Sequence, residues 1–132
     1  MTMIIDGTNG LTFNDASTQT KGGLTSSSTQ ACQAWVNFSG LGSTTIRASY
    51  NVSSVTYNAT GDYTVNFTTA LTDASYSSVF GSGITGSGTA NSQSTLCIKE
   101  GSTPTSSALR LTNNYGNGLL VNAGTLCVAV FR

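Results

Sequence analysis

From Ala31 onward, apolar and polar residues alternate with a period of two, the signature of half-buried β-strands. Cys32, Ala34, Val36 and Phe38 share one face of a predicted strand, and Gln33, Trp35 and Asn37 share the other. Ile46, Ala48 and Tyr50 alternate in the same way with Arg47 and Ser49. Residues 52–57 and 62–68 bracket Asn58-Ala59-Thr60-Gly61 and read as a hairpin that turns Tyr63, Val65 and Phe67 to one side. Further strands are predicted at 76–80, 95–99, 108–112 and 124–131. The last of them, Leu126 to Phe131, is apolar on both faces, which suits either a central strand or a strand at a subunit interface. About eight strands separated by Gly/Ser/Asn-rich turns, with no amphipathic helical window, predict an all-β antiparallel β-sandwich, jelly-roll-like, over residues 31–132.

Residues 1–30 follow another pattern. Ile4-Ile5 and Leu11-Thr12-Phe13 flank the turn dipeptides Asp6-Gly7 and Asn9-Gly10 and predict a short hairpin. The run from Asn14 to Gln30 is too polar to bury and reads as an extended arm or linker. Its few hydrophobes cannot make a core, so Ile4, Ile5, Leu11 and Phe13 are candidates for docking on a partner.

Composition narrows the chemistry. The 132 residues hold 22 Thr, 19 Ser and 11 Asn but only five basic and five acidic side chains, and no His. A neutral chain this poor in Lys and Arg cannot neutralise a phosphate backbone, which excludes nucleic acid as the expected partner. Without His, the commonest general base and neutral metal ligand are absent, so no catalytic residue, metal or cofactor is assigned. Hydroxyls and amides instead suit contact with subunits or glycans at no ionic desolvation cost. Zero net charge gives no colloidal repulsion, so assembly into an oligomer is expected. No apolar run is long enough for a transmembrane helix, and Met1 to Gly7 lack the basic start and apolar length of a signal peptide. Three Cys at 32, 97 and 127, without C-x-x-C spacing, predict reduced, buried strand cysteines rather than a disulfide framework or zinc site.

Several motifs carry less than they promise. Gly81-Ser82-Gly83-Ile84-Thr85-Gly86 spells G-x-G-x-x-G, but no helical period follows to offer its N-terminus to a pyrophosphate, so a flexible Gly/Ser loop is the expectation. The four Asn-x-Ser/Thr sequons, at Asn37, Asn51, Asn58 and Asn66, are about what this composition produces by chance. Asp62 and Asp73 sit where a carboxylate caps local backbone, and nothing in the sequence pairs two acids for glycoside cleavage. Tyr57-Asn58 and Asn114-Tyr115-Gly116-Asn117 place aromatic rings beside amides at turns, a combination able to stack on a sugar and hydrogen-bond its hydroxyls.

Two segments resemble virion proteins of tailed bacteriophages. Asp6-Gly7-Thr8-Asn9-Gly10-Leu11-Thr12-Phe13-Asn14-Asp15-Ala16-Ser17-Thr18-Gln19-Thr20 is similar to the "G-L-x-F-x-D-x-S-x-Q-T" stretch of phage tail-fibre and related appendage proteins. Cys32 to Phe38, Ile46 to Val55 and Gly61 to Phe67 resemble, in order and spacing, the C-terminal β-domain of such fibres, of marine phage type. The resemblance covers about the first seventy residues. It implies a homotrimeric virion appendage, assembled in the host cytoplasm, that docks on other virion proteins through residues 1–30 and acts in host attachment. Trp35, Val128, Val130 and Phe131 are then candidates for trimer or core packing. If the strands simply alternate direction from Cys32, loops 39–43, 58–61, 81–88 and 113–118 lie together opposite the arm, with Tyr57, Asn58, Asn114, Tyr115 and Asn117 as candidate contacts to host-surface glycan. A reversal at Asn51-Val52 is required for that arrangement; a bend would send the later loops to the other end. The rival expectations are a purely structural capsid or tail decoration protein and a polysaccharide-degrading spike module.

Overall fold

The computed structural model describes residues 4–6, 10–12, 18–19, 31–83 and 93–132. Near the N-terminus, β1 (Ile4–Asp6) and β2 (Gly10–Thr12) pair antiparallel with Ile4 opposite Thr12, and β3 (Thr18–Gln19) adds to β2. Eight longer strands follow: β4 (Cys32–Ser39), β5 (Thr45–Tyr50), β6 (Val52–Ala59), β7 (Asp62–Phe67), β8 (Ser77–Gly83), β9 (Ser94–Ile98), β10 (Ala108–Tyr115) and β11 (Thr125–Phe131). They form two four-stranded antiparallel sheets, ordered β5-β4-β11-β8 and β6-β7-β10-β9.

Period-two alternation packs the sheets face to face. Ala34, Val36 and Phe38 of β4 and Leu126, Val128 and Val130 of β11 turn inward from one sheet. Val52, Val55, Tyr63, Val65, Phe67, Leu96, Leu109 and Leu111 meet them from the other, and the Phe38 and Tyr63 rings touch edge to face at 5.4 Å. The all-β sandwich is therefore as the hydrophobic pattern predicts. The last strand is central, hydrogen-bonded to β4 on one side and β8 on the other.

Asn51 decides the connectivity. It adopts a left-handed conformation (φ 54°), and the chain leaves the first sheet at Tyr50 and enters the second at Val52. Asn tolerates this region better than other non-glycine residues. Its side chain repays the conformation: Nδ2 donates to the carbonyls of Gln33 and Thr69 (3.1 Å each), and Oδ1 accepts from Thr69 N (2.8 Å). The corner is a reversal, not a bend. Hence β5 runs toward the end at which Ala31 enters, the proximal end, and β6 runs away from it.

With strand directions alternating, the loops at 40–44, 60–61 and 116–124 collect at the distal end. Hydrogen bonds tie them: Asn122 Oδ1 accepts from Gly61 N (2.8 Å) and from the Tyr63 hydroxyl (2.8 Å), which also lies 3.2 Å from Gly40 O. Gly61 is needed here twice over, since its φ is +65° and a Cβ would stand 2.5 Å from Asn113 O. Among the described residues no helix is long and apolar enough to cross a membrane.

Three local expectations change. Gly81, Ser82 and Gly83 belong to β8, where ladder pairing with Cys127, Leu126 and Thr125 overrides the loop reading of the glycine motif; its remaining residues lie outside the described ones. Asn113, Asn114 and Tyr115 likewise belong to β10, because Leu96, Thr95 and Ser94 of β9 pair with them, and the distal loop begins at Gly116. The cysteines are free as expected but half-buried instead of buried, since Cys97 and Cys127 alternate onto outer faces and Cys32 sits at a strand end.

Candidate functional site

The two outer faces of the sandwich differ in chemistry. On the β6-β7-β10-β9 sheet, outward positions are polar and satisfy one another. Asp62, buried behind its neighbours, receives Arg110 Nε and Nη2 at 3.0 Å each, Lys99 Nζ at 3.4 Å and Asn58 Nδ2 at 3.1 Å. The Arg110 hydrogen bond is the main cause that holds the Asp62 carboxyl below its ordinary pKa, against the opposing effect of burial. Asn66 Nδ2 bridges the hydroxyls of Ser54 and Thr56, both at 3.0 Å. This corrects the capping role expected of Asp62: its main partner, Arg110, lies on β10, 48 residues away in sequence, a distance local turn chemistry does not see. Asp73 does cap, accepting from Ser75 N at 2.7 Å, and it also pairs with Arg132.

The outer face of the β5-β4-β11-β8 sheet has an apolar centre, bordered by Arg47, which donates from Nη1 to Asn37 Oδ1 (3.1 Å) and from Nη2 to Gly124 O (2.6 Å). Registry aligns Tyr50, Trp35, Ala129 and Val79 in one row across all four strands. Tyr50 is 48% exposed, Trp35 38% and Val79 60%. Beside the row, Cys127 stands opposite Asn37 and Gly81, and Trp35, Val79, Gly81, Cys127 and Ala129 line a shallow hollow of about 470 Å³. Phe131 continues the outward side of β11 and is also surface-exposed. Of the residues considered for trimer or core packing, Val128 and Val130 are core, whereas Trp35 and Phe131 lie on this face.

The candidate glycan contacts are dispersed. Tyr57 and Asn58 are adjacent in β6 and therefore point to opposite sides, so they do not form the stacking pair read from the sequence. Tyr57 packs 6.0 Å from the Tyr63 ring, and hydrogen bonds to Thr60 and Asn122 hold its phenol below the ordinary pKa. Asn58 spends its amide on Asp62 and on Thr64 Oγ1 (2.9 Å). Asn114 lies on the polar face with Nδ2 3.7 Å from Cys97 Sγ. Tyr115 N bonds Leu119 O, and Asn117 Oδ1 accepts from Leu119 N (3.1 Å) inside the exposed distal turn. Of this set, Tyr57, Tyr115 and Asn117 border the distal end, together with exposed Leu41, Leu119 and Leu120, which the sequence reading did not single out. Asn122, the hub of the three distal loops, was equally illegible, since nothing in Val121-Asn122-Ala123 marks a partner 59 residues away.

The arm candidates Ile4, Ile5 and Leu11 fall on the paired strands β1 and β2, while Phe13 lies outside the described residues. Between Tyr50, Gln33, Asn51 and residues 68–72, at the proximal end, a second cleft of about 470 Å³ opens. Among the described residues no group of three His, Cys, Asp or Glu side chains is placed to hold a metal ion. Compared with known protein families, curated proteins and solved structures, the chain matches none of them.

Proposed function

We propose that the chain is a non-catalytic subunit of a tailed-phage virion, an appendage module of tail-fibre type. It assembles as a homotrimer through the apolar outer face, docks on other virion proteins through residues 1–30, and offers its distal end to the host surface. The observation that carries this reading is polarity: Ala31 enters at one end, and the tied loops 40–44, 60–61 and 116–124 project from the other. An anchor made of residues 1–30 thus leaves those loops facing away from the particle. The exposed Trp35-Ala129-Val79 row supports the association step, because burying it against a like surface removes apolar area from water while Tyr50, on the edge strand, stays at the margin.

Host adsorption by particles carrying Tyr115→Ala together with Asn117→Ala tests the attachment step. The expected result is loss of adsorption with unchanged incorporation; unchanged adsorption removes the receptor role. A decoration role without host contact is the second reading, favoured by the internal use of the Asn58 and Asn117 side chains. Copy number in an electron-microscopy map of the particle separates the two, since hundreds of copies on the head fit decoration and a few trimers at the tail fit adhesion. The polysaccharide-degrading alternative draws no support from Asp62, whose lowered pKa runs opposite to the raised value a general acid needs.

A further inference from the structure

We infer that the proximal cleft between Tyr50 and the 68–72 loop is a subsite for a neutral saccharide. This goes beyond the attachment reading, which places host contact at the distal end. Three observations converge on it.

The cleft is held open. Asn51 is the one non-glycine residue with positive φ among the described residues, and its side chain clamps Gln33 O on one wall and both Thr69 O and Thr69 N on the other. Thr68 N bonds Asn51 O at 3.1 Å, Leu71 N bonds Ser106 O at 2.8 Å, and the Leu71 side chain is buried in the core. The loop wall therefore does not need to be ordered by a ligand, which removes an entropic cost of binding. A non-glycine residue in the left-handed region also recurs at functional sites, where surrounding contacts sustain it.

The lining matches one ligand class. Tyr50 offers an aromatic ring on an edge strand where it has no part in the core, and it is 48% exposed. Around it stand Thr68, Thr69 and Thr72, and Gln33, whose Nε2 donates to Ala31 O at 3.2 Å. A pyranose presents a C–H face to an aromatic ring and hydroxyls around its edge, so both halves find partners. None of the lining residues is charged, and Asp73, next to Thr72, is already tied to Arg132. An ionic ligand would shed its hydration with no counter-charge to receive it.

The size and place also fit. The volume of about 470 Å³ lies within the roughly 300–1,000 Å³ of small-molecule sites. Because β5 is the edge of its sheet, the cleft opens at the margin of the apolar face and not at its centre.

The test titrates the full ¹⁵N-labelled chain with maltose, cellobiose, lactose and N,N′-diacetylchitobiose and follows its amide spectrum. The expected result is a saturable shift of the Gln33, Tyr50, Thr69 and Thr72 amides with at least one of these sugars. Tyr50→Ala should weaken that binding about ten-fold or more, and Tyr50→Phe should leave it within about two-fold, since the ring and not the hydroxyl is the platform. Thr72→Ala supplies a second variant, at an exposed loop position, should Tyr50→Ala perturb the fold. No saturable shift with any of the sugars, shifts confined to residues 113–119, or undiminished binding by both Ala variants overturns the proposal. Distal shifts alone would leave the attachment reading standing, and loss of adsorption in the distal variants leaves this cleft untouched, so the two fail separately.

Discussion

Tyr63 is a core residue and a polar tie at once. Its ring is fully buried against Phe38, while its hydroxyl reaches Asn122 Oδ1 and Gly40 O at the distal end. Alternation with Val65 and Phe67 announced the inward ring, but the hydroxyl's partners are 23 and 59 residues away and carry no sequence mark. Burial, helped by the neighbouring Tyr57, pushes the Tyr63 pKa up from 10.0 to about 12. The neutral phenol therefore favours the folded state fully below 10.0, and that contribution is lost as pH rises toward 12. Tyr63→Phe should lower stability at neutral pH by about 1–2 kcal/mol, because two acceptors lose a donor. It should also remove this part of the alkaline loss. Urea denaturation midpoints of both proteins, measured at neutral pH and through that alkaline window, check the two statements together.

At the scale of elements, the same alternation gives two sheets different outer faces. Asp62, Arg110 and Lys99 join β7, β10 and the residue following β9, and Asn58 adds β6, so one carboxylate links all four strands of the polar sheet. A depressed carboxyl pKa means that the pair's contribution is fully present above the usual carboxylate range and is lost as pH falls through the lowered folded-state value. Asp62→Asn should remove that acid-side dependence. It should cost about 1–2 kcal/mol at neutral pH, less than a fully buried pair, because Arg110 is 41% exposed and can turn to water. Thermal melts at neutral and acid pH read both effects. Which way the side chains face was legible for β4 and β7; in β5 it was not, because a register shift between Asn37 and Phe38 packs Ile46 on the core while Ala48 and Tyr50, read as sharing its face, are exposed. The ends of β8 and β10 were not legible either. Gly81 to Gly83 and Asn113 to Tyr115 have turn-like side chains, and only the ladders offered by β11 and β9 hold them extended.

At the scale of the molecule, the proposed association rests on the apolar row from Trp35 to Val79. Val79→Lys places a charge within that row at a position already 60% exposed. The change should leave the stability of the single chain within about 0.5 kcal/mol. Light scattering is then expected to give the mass of three chains for the wild type and of one chain for the variant, with unchanged circular dichroism. A monomeric wild type, or a variant that still forms trimers, removes this face from the assembly. The sequence by itself determined the all-β class, the inward set of side chains and the neutral, hydroxyl-rich surface, because period-two burial and composition are properties of each short segment. Only the tertiary structure decided that Asn51 reverses the chain between sheets, that Asp62 meets Arg110 and Lys99, that Asn122 gathers three loops, and that Tyr50 walls a cleft beside residues 68–72. Each of these joins residues distant in sequence, and their meeting depends on how the two sheets pair and stack, which no local pattern encodes.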